Sequence, residues 1–383
     1  MAATAANFNV RCLIIIAIII IYGIKIAIIG PVFDETIRFL LFLCDICMFK
    51  TKRMKLKNVL IIFSTVAITL LQGCHKKGDD TAISPTLDGT MAFDMPLFVL
   101  PGEEFTLTPR GASHPKGGGI GYYWFSSWHT VRDTVKTETG PGDGSWTVSV
   151  PQSTGTYTIT SFAYASEYTS ISTFRSFTVV DPSLDGSLKG AGYQSDSVKF
   201  VDHRDGGVYY LATAGGNVWM QNNLYYSGAG VSYEDSKAMD PIAGRFYNWN
   251  EATKVCPEGW RLPTDADFAA LCDDPEGAGM ILVGAAGSMM ADVYFNGSKM
   301  WTFWPDVKIT NATKFSAVPM GYGVDQEGNH KFVGTNEYAV FWTSSQEGDT
   351  GIYRYIYVDK KDVFPAAGDK DSFLASVRCV KEK

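Results

Sequence analysis

The chain has 383 residues, 46% hydrophobic and 19% charged, a composition that fits a folded globular protein and excludes a disordered tail, a collagen or a polytopic carrier. Residues 1–73 hold 8 of the 33 basic groups and 3 of the 40 acidic ones, so the remainder is acidic, near −12. No basic stripe remains to neutralise phosphates, and nucleic acid is not expected as a partner. At roughly 150 residues per domain two folded domains fit. All nine Trp lie beyond residue 120, which places the packed mass in the C-terminal two-thirds.

In chain order, an Ile-rich stretch from Ile14 to Ile29, interrupted by Lys25, and an apolar stretch from Ile37 to Phe49 come first. Met54 then opens a complete secretory signal over 54–73: basic Lys55 and Lys57, an apolar run, and Leu71-Gln72-Gly73 before Cys74. Residues 1–53 are therefore read as a mis-assigned N-terminal extension, the competing reading being a genuine double span. Leu71-Gln72-Gly73-Cys74 resembles the bacterial lipobox, which implies that Cys74 is diacylated after cleavage. Two acyl chains meet the double hydrophobic signal that stable anchoring requires. Residues 74–96 read as a tether, and the acidic end of His75-Lys76-Lys77-Gly78-Asp79-Asp80 resembles the signal that sends Bacteroidetes lipoproteins to the outer face. The expected location is the cell surface, on the outer membrane. Asp80-Thr81-Ala82, Asp133-Thr134-Val135 and Asp196-Ser197-Val198 resemble the O-glycosylation sequon of exported Bacteroidetes proteins, which makes Thr81, Thr134 and Ser197 candidate acceptors.

Residues 97–182 alternate apolar and polar side chains in short runs broken by Gly and Pro, the pattern of an all-β sandwich. Phe105–Leu107, Tyr122–Trp124, Trp146–Val150, Tyr157–Ile159 and Phe177–Val179 read as strands. Gly155-Thr156-Tyr157-Thr158-Ile159 resembles the Tyr-containing strand of Ig-like and PKD-like modules, with Trp124 expected on the central core strand. The segment has no Cys, so apolar burial must hold it. Such a module implies a spacer. His114 and His129 stand alone, without metal-ligand spacing. Residues 183–194, rich in Gly, Ser and Asp, read as the linker.

The last segment carries a series of motifs: Asp205-Gly206-Gly207-Val208-Tyr209-Tyr210, Gly216-Asn217-Val218-Trp219-Met220-Gln221-Asn222, Gly244-Arg245-Phe246-Tyr247-Asn248-Trp249, Cys256-Pro257-Glu258-Gly259-Trp260-Arg261-Leu262-Pro263-Thr264, Phe341-Trp342-Thr343-Ser344-Ser345 and Ser376-Val377-Arg378-Cys379-Val380. In order and spacing, over 195–381, they resemble the Fibrobacter succinogenes major paralogous domain. More distantly they resemble the C-type-lectin-like fold and its formylglycine-generating-enzyme branch. The resemblance implies an α+β domain, so the expected architecture is an Ig-like β-sandwich followed by a C-type-lectin-like domain. The residues support a helix after Pro263: Thr264 can cap it, Asp265 and Asp267 suit its dipole, and Phe268, Leu271 and Cys272 share a face.

Cys12, Cys44 and Cys47 leave with the N-terminus and Cys74 is lipidated, so three thiols remain. From the sequence, Cys256 pairs with either Cys272 or Cys379. The resemblance implies Cys256 with Cys379, leaving Cys272 as a small buried hydrophobe.

The five His are scattered, and no HExxH, GxSxG or Walker A motif occurs. Formylglycine-generating activity needs a reactive Cys pair near the chain end, where only Cys379 lies. The calcium triplets of sugar-binding lectins are absent, and Asp202, Asp205 and Asp325 sit in turns whose chemistry is that of hairpins. No enzyme activity, metal or cofactor is expected. The stretch from Gly284 to Phe341, where the lectin-like fold varies, holds Trp301, Trp304, Asp306, Asn311 and Tyr322. Aromatics flanked by short polar groups suit sugar stacking or protein hot spots; alternatively the tryptophans fill the loop's own core. The expected function is non-catalytic recognition or adhesion at the surface, toward a glycan, a host or matrix protein, or a neighbouring subunit. Alternatives are an enzyme or accessory chain in polysaccharide handling or protein modification, and a structural fimbrial or surface component.

Overall fold

A computed structural model describes residues 84–128, 135–137, 144–193, 198–301 and 307–382. The signal peptide, Cys74, Thr81, Thr134, Ser197, Trp304 and Asp306 lie outside the described residues. Among those described, no helix is long and apolar enough to cross a membrane.

The regular elements described in the first module are all β-strands, because its alternating β-branched and aromatic residues suit a pleated, half-buried surface. Its central strands are β1 (Gly121–Ser126), β2 (Gly155–Tyr164) and β3 (Ile171–Val179), paired antiparallel with β2 in the middle. Glu104–Leu107 pairs with Trp146–Ser149 in a second layer. Between the layers sit Leu107, Trp124, Val148, Ile159 and Phe177, all buried. The buried Trp124 Nε1 donates to the Gly144 carbonyl at 2.9 Å, so the ring costs no unpaired donor. Strand β2 extends well past the expected Tyr157–Ile159, since Thr158 and Thr160 occupy its outer face and dilute the apolar signal.

The second module contains two larger sheets. One runs Lys199–Val201, Val208–Ala214, Asn217–Met220, Val380–Lys381, Trp260–Arg261. The other runs Val231–Ser232, β4 (Arg245–Tyr247), β9 (Phe373–Ser376), β6 (Tyr338–Glu347), β7 (Thr350–Tyr357), β8 (Val363–Asp369), with β5 (Tyr322–Gln326) paired to β9 off this path. Two capped helices pack on them. Helix α1 (Trp249–Val255) starts in a capping box of Asn248 and Glu251, and α2 (Asp265–Leu271) in one of Thr264 and Asp267. On α2, Phe268 and Leu271 are buried as the spacing predicts. Cys272 is only half-buried by area, yet burial pushes its thiol up to about 12. The disulfide joins Cys256, at the end of α1, to Cys379. The competing pairing with Cys272 does not form.

The stretch read as a linker is largely built into the second module. Leu188 and Ala191 are core residues there, and Leu188–Lys189 pairs with Tyr294–Phe295. Gly190 takes φ +81°, and a side chain on it would strike the Asp292 carbonyl. Gly- and Ser-rich composition signals a loop, but two apolar side chains suffice to bury this one. The seam between modules is closed by the Phe98 ring against Tyr233 and Phe295, and by Asn296, whose Nδ2 donates to the Val179 carbonyl at 3.1 Å.

Candidate functional site: an open tyrosine cleft

Strand β7 reads Thr-Gly-Ile-Tyr-Arg-Tyr-Ile-Tyr. Its period-2 alternation sends Arg354 and Ile356 into the core and leaves Tyr353, Tyr355 and Tyr357 half-buried on the opposite face. Neighbouring strands put rings beside them, since Tyr338 of β6 pairs with Tyr357 and Phe364 of β8 with Tyr355. Helix α1 lies against β6 and β9. There Trp342 is fully buried, its Nε1 donating to the Tyr247 carbonyl at 2.8 Å. The tyrosines stand on the rest of this face.

The uncovered part is a cleft of about 290 Å³ walled by Tyr322, Tyr338, Tyr353, Tyr355 and Phe373 over Val340 and Ala366. Phe373 stacks on Tyr353 at 4.7 Å and on Tyr322 at 5.2 Å, and Tyr338 stacks on Tyr357 at 4.5 Å. Mutual packing fixes the rings, so a ligand would find a preformed floor with little rotamer entropy left to lose. No charged side chain lines the cleft. Burial, and then the neighbouring phenol Tyr357, raises the Tyr338 pKa; burial and Tyr355 do the same for Tyr353. Both phenols therefore stay neutral donors at pH 7. None of the four tyrosine hydroxyls makes a hydrogen bond to another described residue, which leaves a set of uncommitted donors and acceptors above an apolar floor.

Of the residues singled out from sequence, Tyr322 stands in this cleft. Trp301 does not: it is 1% exposed, in the core with Phe268, Phe315 and Met300, and offers no ring face to a ligand. That core is the main one of the module, shared with Val180, Trp219 and Val380, and not a separate core of the loop. Asn311 closes the turn it belongs to, donating to Ser316 Oγ and accepting from Ser316 N, both at 2.9 Å. The acidic turns behave as hairpin chemistry. Asp202 accepts from Arg204 at 2.6 Å, Asp205 from Gly207 N and Ser227 N, and Asp325 from Gly328 N. Among the described residues no group of three His, Cys, Asp or Glu side chains is placed to hold a metal.

Two buried arginines frame the second module. Arg354, at 0% exposure, grips Asp265 through Nε and Nη2 at 2.5 and 2.6 Å and also donates to the Met280 and Gly277 carbonyls. Among the described residues Arg378 has no carboxylate partner; it donates to Asn223 Oδ1 and to the Phe315 and Ser316 carbonyls, beneath the Phe315 ring. Desolvation lowers its pKa to about 10. The terminal Val-Arg-Cys-Val motif is thus a structural rivet.

Sequence inspection passes over Tyr338, Tyr353, Tyr355 and Phe373. The available signal was Tyr-x-Tyr-x-Tyr at 353–357, three rings on one face of a strand where an outward face would ordinarily be polar.

Residues 213–381 match the family model of the Fibrobacter succinogenes major domain. A search of curated proteins gives no match. Among solved structures, the Yersinia pseudotuberculosis adhesin InvE is 11% identical, with 77% of this chain and 70% of that one covered, at a TM-score of 0.22. A superoxide reductase (neelaredoxin) of Ignicoccus hospitalis is 16% identical over 26% of this chain and 86% of that one, at a TM-score of 0.20.

Proposed function

We propose that the chain is a lipid-anchored cell-surface protein whose C-terminal domain, the part that matches the Fibrobacter succinogenes major domain, binds a neutral glycan in the tyrosine cleft without transforming it. In this reading the domain is C-type-lectin-like, an Ig-like module carries it, and Cys74 anchors the whole. The observation that carries the reading is a charge-free cleft with a floor of fixed rings and four uncommitted phenols. Sugars present C–H faces and hydroxyls, and the cleft answers both: rings take the faces, phenols the hydroxyls. Its volume lies at the small end of ligand pockets, suited to the terminal unit or two of a chain.

A glycan array probed with the full-length protein, beside Tyr353→Ala and Tyr338→Ala, tests this. Each substitution should weaken binding about tenfold, as for an aromatic hot spot worth roughly 1.4 kcal/mol. Binding that ignores both substitutions removes the cleft from consideration. Preference for proteins over glycans on a parallel array would assign the cleft to a protein ligand instead. Acyl labelling tests the anchor separately, since Cys74→Ser should lose the label and the membrane association together.

A further inference from the structure

The first module has a second surface that the cleft does not explain. On β1, β2 and β3, alternation sends Trp124, Ile159, Ser161 and Phe177 inward. The outward positions of these three strands carry no charged side chain, in a chain that is 19% charged; the edge strand Val135–Thr137 pairs one cation, Lys136, with Tyr123. Arg175, the charged residue of β3, turns to the other face, where it donates to the Phe93 carbonyl. A sheet face turned to water is ordinarily polar and charged.

This face carries aromatic rings instead. Phe174 is 71% exposed and Tyr164 39%. Next to them Tyr123 lies flat on Phe162 at 4.6 Å and 6°, with Phe125 edge-on to Phe162 at 5.4 Å. Contiguous exposed rings of this kind mark an interaction surface. Beyond the rings run hydroxyl rungs, Thr158 with Ser176 at 2.8 Å and Thr156 with Thr178 at 3.3 Å. A hydroxyl in such a rung still has bonding capacity to spare.

We infer that this face is a second binding surface, and that its ligand is an uncharged polysaccharide. Charge chooses the occupant. A phosphate polymer, an acidic polysaccharide or an anionic bilayer needs a row of cations, and the described strands of this sheet offer this face only the single Lys136 at its edge. Rings and neutral hydroxyls side by side complement the C–H faces and hydroxyls of a neutral sugar polymer. The chain is then bivalent, the first module gripping the length of a polymer, and the two sites raise each other's occupancy through effective concentration.

The test uses the full-length protein and its retention on cellulose, xylan, mannan and starch, with polygalacturonate as the charged control. Phe174→Ser combined with Tyr164→Ser alters two exposed side chains, so the fold should survive, which circular dichroism checks. Phe174→Tyr preserves a ring. The double substitution should lower retention on at least one neutral polymer about tenfold or more, Phe174→Tyr should keep it, and polygalacturonate should retain neither form. Unchanged retention in the double variant, or no retention of the wild type on any of the four polymers, overturns the inference. So does a wild-type dimer that the double substitution converts to monomer with retention intact, which would make the face a contact between copies. Tyr353→Ala separates the two sites. Loss in that variant alone keeps the cleft and removes this face, and loss in the Phe174 and Tyr164 variant alone does the reverse.

Discussion

Replacing Arg354 by Met is expected to destabilise the protein by about 3 to 5 kcal/mol, the cost of leaving a buried charge without its partner. Asp265 is 6% exposed, and its carboxylate accepts from Arg354 Nε and Nη2 and from Gly279 N at 2.5 Å. Removing the guanidinium strands the charge and also deprives the Gly277 and Met280 carbonyls of a donor. Asp265→Asn, which leaves the buried cation unpaired, should cost a similar amount. A double Arg354→Met, Asp265→Leu variant should recover part of the loss, because an apolar pair of similar size often matches a buried ion pair. Recovery stays incomplete, since Gly279 N and Gly277 O would each remain unpaired at about 1 to 3 kcal/mol. Urea unfolding at constant m-value gives the three free energies. Amide exchange over 277–281 should accelerate in the Met variant more than exchange in β6, because the pair holds this loop, where Met280 is 56% and Ile281 46% exposed. An Arg354→Met protein within about 1 kcal/mol of wild type would refute the argument that the buried pair holds the loop.

Three further outcomes follow from the same structure. Reducing the Cys256–Cys379 bridge opens a loop of separation 123, for which chain entropy sets a loss of about 5 kcal/mol at most; urea midpoints with and without reductant measure it. Trp301→Ala should cost about 3 to 5 kcal/mol as a core truncation, and a melting temperature unchanged from wild type would return Trp301 to the list of ligand-facing residues. Burial works against the Asp267 carboxylate, but hydrogen bonds from Arg261 and Thr264 prevail and lower its pKa from 3.8 to about 2. The folded value lies below the unfolded one, so this contribution is present above pH 4 and lost as pH falls from 4 toward 2. It amounts to up to about 2 kcal/mol, less what solvent screens at the partly exposed Arg261. Arg261→Gln should flatten the acid limb of a stability-versus-pH curve over that window.

What depended on neighbours in sequence was readable from it. The Thr264 cap, the buried face of α2 and the Asp-Gly turn before Val208 are local, fixed by spacing and side-chain chemistry over a few residues. The alternation in 97–182 also yields strands where they occur, because a period of two needs no tertiary information. The pairing of Cys256 with Cys379 came from family resemblance, since spacing alone also permitted Cys272. What the tertiary structure decided concerns long-range company. Trp301 and Tyr322 look alike in sequence, each a ring in the long 284–341 stretch. One is buried in the core cluster that also holds Phe268 and Phe315, and the other stands in the cleft on the sheet face. The cleft draws on β5, β6, β7, β8 and β9, whose register across the sheet brings Tyr322, Tyr338, Tyr353 and Phe373 together. No local pattern encodes that register, and so the site became visible only when the strands were paired.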